Sequence, residues 1–403
     1  DPASSTDLDQ AFLIERTGTD LILRYAIADV DSFVRDRDAI DVEAWTRGMT
    51  LYLPDGKARL YPPSLSERAA SLLPGGAKPA ALFTIRVDQD GKVSLEDAQR
   101  AFIQSRAKLA YDSVRDVDLP KDFAELAERI GRAEDRRGAT RVDPPEQEVV
   151  AHGNAGYQLL FRPRLPSEDR NAALSLATNL AIAEALFVHG TGLFRFMAGP
   201  DDHAISRLRH SARAFGLLWP ANASLAQFER TLQAGDPKHA AFMLAVRRAG
   251  NGASYAPYTP GSRPWHAGIA ATYVHATAPL RRLADRYVIR AALAITNGKP
   301  VDAITADAFS RLPDVMARAG NREGQIERAV IDLAEAVMLS REVGRTFSAV
   351  VTDLDERGAR IQLRDMPVVA RVDANNVAPG MDLSVRLEAA DPAQRRVRFQ
   401  RVA

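Results

Sequence analysis

Asp1-Pro2-Ala3-Ser4-Ser5-Thr6-Asp7-Leu8-Asp9-Gln10-Ala11-Phe12 places three carboxylates within nine residues, directly ahead of the apolar run Ala11 to Ile14. Asp7 and Asp9 are two apart, so an extended backbone sends both side chains off one face. Pro2 fixes its own φ and the Ser/Thr segment suits a turn, which lets Asp1 fold back toward them. Carboxylates packed this closely repel one another unless a cation neutralises them, and hard oxygen ligands suit Mg²⁺ or Mn²⁺. Spacing alone also fits a solvated acidic loop, so both readings stand at this point.

A second stretch bears on the first: Tyr273-Val274-His275-Ala276-Thr277-Ala278-Pro279-Leu280-Arg281-Arg282-Leu283-Ala284-Asp285. Between the two lie Ile27-Ala28-Asp29-Val30, Arg47-Gly48-Met49-Thr50-Leu51-Tyr52-Leu53-Pro54-Asp55, Tyr61-Pro62-Pro63-Ser64-Leu65-Ser66 with Ser71-Leu72, and Ser105-Arg106-Ala107-Lys108-Leu109-Ala110-Tyr111. In order and spacing these runs resemble the catalytic domain of the ribonuclease II/R (RNB) family of 3′→5′ exoribonucleases, over roughly the first 345 residues. The chain departs from the family pattern at Gln10, where a fourth aspartate is usual, and at Ala278 and Leu283. The glutamates of a family helix are also missing before Thr178-Asn179.

The resemblance implies metal ligation by Asp1, Asp7 and Asp9, with the Gln10 amide as a weaker, uncharged ligand. It makes Asp9, Arg281 and Glu327 catalytic, with Arg281 stabilising the transition state. Tyr52 and Tyr111 match tyrosines that contact RNA, and a ring face grips any base without reading sequence. A core tyrosine with a satisfied hydroxyl is the competing reading. For Glu327 the alternative is an ordinary exposed glutamate. Arg281 has a physical rationale of its own: Pro279 suits the first position of a helix, so Arg281 would project from a first turn that favours anions. A surface pair with Asp285, four residues on, is the alternative. Arg282 faces elsewhere and is expected to bind a neighbouring phosphate or an acidic residue.

Residues 11 to 30 read as two strands turning at Gly18-Thr19-Asp20, and 81 to 104 as a second pair turning at Asp88 to Gly91. Residues 64 to 73 read as a short helix, 119 to 137 as a charged helix, and 169 to 342 as mostly helical. Thr346 to Ala403 changes character, to five short alternating strands. The fold class is therefore α+β, with an RNB-type catalytic domain at 1–345 and an all-β OB barrel of the S1 type at 346–403. The barrel has few aromatics, so arginines such as Arg360 are its candidate RNA contacts; a purely structural barrel is the alternative.

The 403 residues carry a formal net charge of +1, so any nucleic-acid contact must come from local arginines rather than a basic excess. Cysteine is absent, which excludes disulfide partners, thiol nucleophiles and zinc–cysteine sites and fits a reducing cytoplasm. No run reads as a membrane span, and the apolar stretch Ala172 to Val188 reads as a buried helix. The resemblance implies a monomeric, cytoplasmic, processive 3′→5′ exoribonuclease that uses Mg²⁺, or Mn²⁺, to hydrolyse single-stranded RNA to nucleoside 5′-monophosphates. It also implies a further RNA-binding module ahead of Asp1. The rival expectation is an RNB-like binding protein that holds RNA 3′ ends and hydrolyses poorly.

Overall fold

A computed structural model describes residues 2–139, 146–151, 156–162, 164–233, 236–250, 252–355, 358–373 and 375–402. Asp1, the first expected metal ligand, lies outside the described residues.

Four antiparallel strands form the first sheet, in the spatial order Gln10–Thr17, Asp20–Ala28, Lys78–Val87 and Val93–Ile103. Thr17 pairs with Asp20 across a two-residue turn, and Gly18 supplies the positive φ (+60°) that such a turn demands. The Asp88 to Gly91 turn packs so tightly on the helix Phe123–Arg137 that a Cβ on Gly91 would strike the backbone of Arg129. That helix buries Phe123, Leu126, Ile130 and Ala133, an apolar stripe at helical spacing.

Helix Pro166–Val188 is, by length and composition, apolar enough to cross a membrane, contrary to the sequence expectation. In the fold it is a core helix: Leu174, Ala177, Ala181, Ile182 and Leu186 are buried with the sheet and with helix Leu283–Thr296. Its polar Asn179 accepts the Ala276 N–H at 2.9 Å, which satisfies a buried backbone donor. Helix Leu283–Thr296 is anchored by Arg286, which is fully buried and donates to Asp31 (2.5 Å), Asp41 (2.6 Å) and the Val34 carbonyl (2.9 Å).

Helices Asp202–Ala214, Leu225–Glu229 and Pro237–Ala249 contribute to a separate small core around Phe215, Phe228 and Phe242. The long helix Ala303–Leu339 is capped by Asp302, whose carboxylate accepts the Thr305 N–H at 2.9 Å. It leads into five antiparallel strands ordered Val369–Val372, Gly358–Leu363, Thr346–Asp355, Asp382–Asp391 and Arg396–Arg401. The first and last of these lie side by side, giving a nearly closed barrel around its own core. Ala359, Ile361 and Leu363 alternate inward, leaving Arg360 on the other face opposite Arg371.

Candidate active site

The acidic run is clamped on three sides. The Ala28 N–H donates to the Asp9 carbonyl and the Leu72 N–H to the Leu8 carbonyl, both at 2.9 Å. Ser71 Oγ accepts the Leu8 N–H at 2.9 Å and donates to the Thr6 carbonyl at 2.8 Å. Lys108 Nζ holds the carbonyls of Ala3 and Ser5. The runs around Ser71 and Lys108 therefore act by fixing the path of residues 3–9.

Held in this way, Asp7 and Asp9 face different partners. Asp7 Oδ1 takes the Lys57 ammonium at 2.6 Å and Oδ2 accepts from the Tyr52 hydroxyl at 3.1 Å. Asp9 is buried, and its Oδ1 accepts the Leu280 N–H at 2.7 Å. Its Oδ2 lies 3.8 Å from Arg281 Nε. Burial pushes the Asp9 carboxyl up to about 7 against the opposing pull of Arg281 and the Leu280 N–H. Asp9 is thus a carboxylate short of positive charge, and one divalent ion on its Oδ2 side fits that donor chemistry.

Gln10 departs from its expected place among the metal ligands. Its Nε2 donates to the Thr277 carbonyl at 2.6 Å and its Oε1 accepts the Tyr25 hydroxyl at 2.5 Å. One end of the amide ties the first strand to the 277–282 segment and the other ties it to the second strand. Among the described residues, no three Asp, Glu, His or Cys side chains gather into a metal cage.

The 277–282 segment is a turn rather than a helix start, because the helix begins at Leu283. The Ala278 N–H donates to the fully buried Asp285 carboxylate at 2.8 Å, and Arg282 forks onto the same carboxylate at 3.0 and 2.8 Å. Asp285 thus pairs with Arg282 and not with Arg281, and Arg282 is committed to the protein rather than to a phosphate. Arg281 stays half-exposed, and its carbonyl accepts the Thr50 N–H at 3.0 Å. Tight backbone pinning, not a helix dipole, aims this guanidinium.

Arg281 and Tyr52 line a cavity of about 810 Å³ together with Arg195, Tyr255, His275 and Glu323. The Arg195 guanidinium lies 4.4 Å from the centre of the Tyr255 ring, and its Nε has no hydrogen-bond partner among the described residues. Burial, with Arg282 and Arg195 nearby, keeps His275 neutral, and its Nδ1 is 2.8 Å from the Tyr255 hydroxyl. Two carboxylates of the long helix line the cavity, Asp314 and Glu323; Glu327, one turn after Glu323, is exposed and does not line it. Glu323, Arg195 and Tyr255 were not singled out from sequence, since no local pattern separates them from surface or core neighbours. Tyr111 is half-buried, accepts from Asn171 Nδ2 at 3.1 Å and feels the charge of Arg281. Arg360 belongs to the barrel and is not part of this cavity.

The RNB domain family matches residues 1–297, and the RNase II-type exonuclease C-terminal S1 domain matches residues 345–402. The chain belongs to the RNB family. It is similar to the ribonuclease R of Aquifex aeolicus, 26% identical over 412 residues that cover 94% of this chain and 56% of that protein. It is likewise 28% identical to the exoribonuclease 2 of Cronobacter sakazakii, covering 93% of this chain and 61% of the relative. The chain therefore spans less than two thirds of these relatives. Its fold matches Mycoplasma genitalium RNase R in complex with ribose methylated single-stranded RNA (TM-score 0.89, 20% identity, 100% of this chain and 70% of the other). It also matches yeast Ssd1, a pseudonuclease (TM-score 0.71, 18% identity, 94% and 49%). The fold is thus shared by a nuclease and a pseudonuclease, and activity has to be argued from the site.

Proposed function

We propose that this chain is the catalytic part of a 3′→5′ exoribonuclease that hydrolyses single-stranded RNA processively to nucleoside 5′-monophosphates. The observation that carries this reading is the buried Asp9 carboxylate, held by the Leu280 N–H and placed beside Arg281, which lines a cavity of about 810 Å³. Residues 1–345 act as the catalytic domain and 346–403 as an RNA-gripping barrel, in a monomeric cytoplasmic enzyme.

Asp9, with Asp1 as a further ligand, would hold Mg²⁺ or Mn²⁺, while Asp7, expected from the resemblance to join them, is engaged by Lys57 and Tyr52. Such an ion polarises the phosphoryl oxygens and lowers the pKa of a bound water. Arg281 offers a planar fork to the equatorial oxygens of the scissile phosphate, where charge grows in the transition state. Arg195 adds a second cation along the cavity, and Tyr52 and Tyr255 offer ring faces to bases. Arg282 serves the site by bracing the turn that aims Arg281. Backbone and stacking contacts imply low sequence preference.

The test is incubation of end-labelled single-stranded RNA with Mg²⁺, wild type against Asp9→Asn. Mononucleotide release by the wild type alone supports the reading; intact RNA in both, with retained binding, sinks it. The second reading, a protein that holds RNA 3′ ends without cutting, draws on Asp7, whose two oxygens are both occupied by protein donors.

A further inference from the structure

Asp7 does not stand free. Lys57 Nζ contacts its Oδ1 at 2.6 Å, with the lysine and aspartate side chains only 21% and 10% exposed. The Tyr52 hydroxyl takes Oδ2 at 3.1 Å. Tyr52 and Lys57 are directly opposed across the hairpin Leu51–Leu53/Gly56–Ala58, so one small element presents both donors. The ammonium lies 5.6 Å from the centre of the Tyr52 ring and 3.9 Å from Glu67, which Arg59 holds in turn at 2.7 Å. Ring, carboxylates and hairpin register together fix this lysine where an exposed one would wander.

The neighbouring ligand position is closed as well, because both ends of the Gln10 amide are taken by Tyr25 and Thr277. Asp9 Oδ2, by contrast, has no hydrogen-bond donor among the described residues, with Arg281 standing 3.8 Å away. The site is therefore asymmetric: Asp9 Oδ2 meets only the Arg281 guanidinium, at 3.8 Å, whereas Asp7 is in close contact with an ammonium at 2.6 Å. A divalent ion sharing Asp7 would sit beside a fixed ammonium and be repelled by it.

We propose that Lys57 is a built-in substitute for a second metal ion: it supplies the positive charge at Asp7, and this chain binds a single divalent ion at Asp9. The inference rests on the metal-dependent reading above. Lys57 is a positioning residue; it holds the Asp7 carboxylate in place and lowers the negative charge that an incoming phosphate meets. An ammonium has no strict coordination geometry, so it does this without the ligand set that a second ion would require.

The experiment is Mn²⁺ binding to the full chain without RNA, by equilibrium dialysis and by electron paramagnetic resonance, which senses coupling between close Mn²⁺ ions. The wild type and Lys57→Arg should each take one uncoupled Mn²⁺, and Asp9→Asn should lose it. Lys57→Gln should admit a second ion, or bind the first at least tenfold more tightly, with a coupled spectrum where two are bound. Two ions in the wild type would overturn the proposal without any need for a folded variant. One ion in both wild type and Lys57→Gln, with equal affinity, would overturn it while leaving the metal-dependent reading intact, since Asp9→Asn still abolishes binding. Absence of Mn²⁺ from the wild type would remove both.

Discussion

The Leu280 N–H donates to Asp9 Oδ1 at 2.7 Å, joining residues 271 positions apart in the chain. This one hydrogen bond brings the acidic run of the first 12 residues against the turn that carries Arg281. It also fixes which oxygen of Asp9 remains available, because Oδ1 is used by the backbone and Oδ2 faces Arg281.

Asp9→Asn keeps the shape and can keep the Leu280 hydrogen bond through the amide oxygen, while removing the charge. Hydrolysis should fall by at least about a hundredfold, with RNA affinity unchanged or higher, because one negative charge near the phosphates is gone. Single-turnover degradation and a separate binding curve check this, and near-normal turnover in Mg²⁺ would sink the mechanism.

Arg281→Ala and Arg281→Lys should both depress the saturated rate far more than they weaken binding. A donor aimed at charge that develops in the transition state is worth about 3 kcal/mol, roughly a hundredfold in rate. Lysine keeps the charge but not the planar fork, so it should rescue poorly. If Arg281→Ala weakens binding and leaves the saturated rate alone, the residue is a tether.

Arg282 is predicted to differ from its neighbour in kind. Its fork onto Asp285 neutralises a carboxylate that is wholly buried. Arg282→Ala strands that charge and should cost about 3 kcal/mol of stability. Urea unfolding of Arg282→Ala beside Arg281→Ala measures it; equal midpoints would contradict the assignment.

Much of this architecture was legible in the chain because it is local or periodic. The first two hairpins and the helix ending at Arg137 fall within a few residues of their expected places, and the stretch from Thr346 holds the expected five strands, since alternation and glycine turns fix them. Reading Pro279 as a helix start failed because Asp285 and Asp9 bind the N–H groups of residues 278 and 280 and hold a turn there, a fact of tertiary contact. Gln10 and Lys57 escaped for the same reason. An amide beside two aspartates reads as a ligand until Tyr25 and Thr277 are seen to hold it, and nothing in a hairpin lysine announces that it faces Asp7. Glu327 is singled out by motif position alone, whereas the face of the helix that lines the cavity carries Pro313, Met316, Gly320 and Glu323.

Gln10→Asp, which restores the residue usual in the family, should therefore destabilise rather than improve the site. A shorter carboxylate loses the Nε2 donor to the Thr277 carbonyl and brings a charge toward that oxygen. The expected cost is about 1–3 kcal/mol, read by thermal unfolding, with no gain in Mn²⁺ affinity. Tighter Mn²⁺ binding at unchanged stability would return Gln10 to the ligand set.

The last prediction concerns the junction between the long helix and the barrel. Glu335, near the end of helix Ala303–Leu339, is buried, and its Oε1 accepts the Val369 N–H at 2.9 Å and Gln147 Nε2 at 2.8 Å. Gln147 also donates to the Pro367 carbonyl at 2.7 Å, so one carboxyl group ties the helix to the first-domain hairpin strand Glu146–Ala151 and to the barrel. Burial pushes this carboxyl up from 4.5 to about 7, with Asp332 adding to the rise. The folded protein therefore holds a proton on Glu335 that the unfolded chain releases near the ordinary glutamate value. The stability linked to that proton is fully present below the unfolded pKa and is lost as the pH climbs through about 7. Glu335→Gln keeps both accepted hydrogen bonds and has nothing to ionise. It should match the wild type at pH 4, overtake it as pH rises, and stay ahead by about 1–3 kcal/mol at pH 8. Asp9 and Glu229 are raised to about 7 as well, so only the difference between variant and wild type isolates Glu335. Chemical unfolding at pH 4, 6 and 8 measures that difference; parallel curves across the range would mean that Glu335 is ionised in the folded state and that the junction is insensitive to pH.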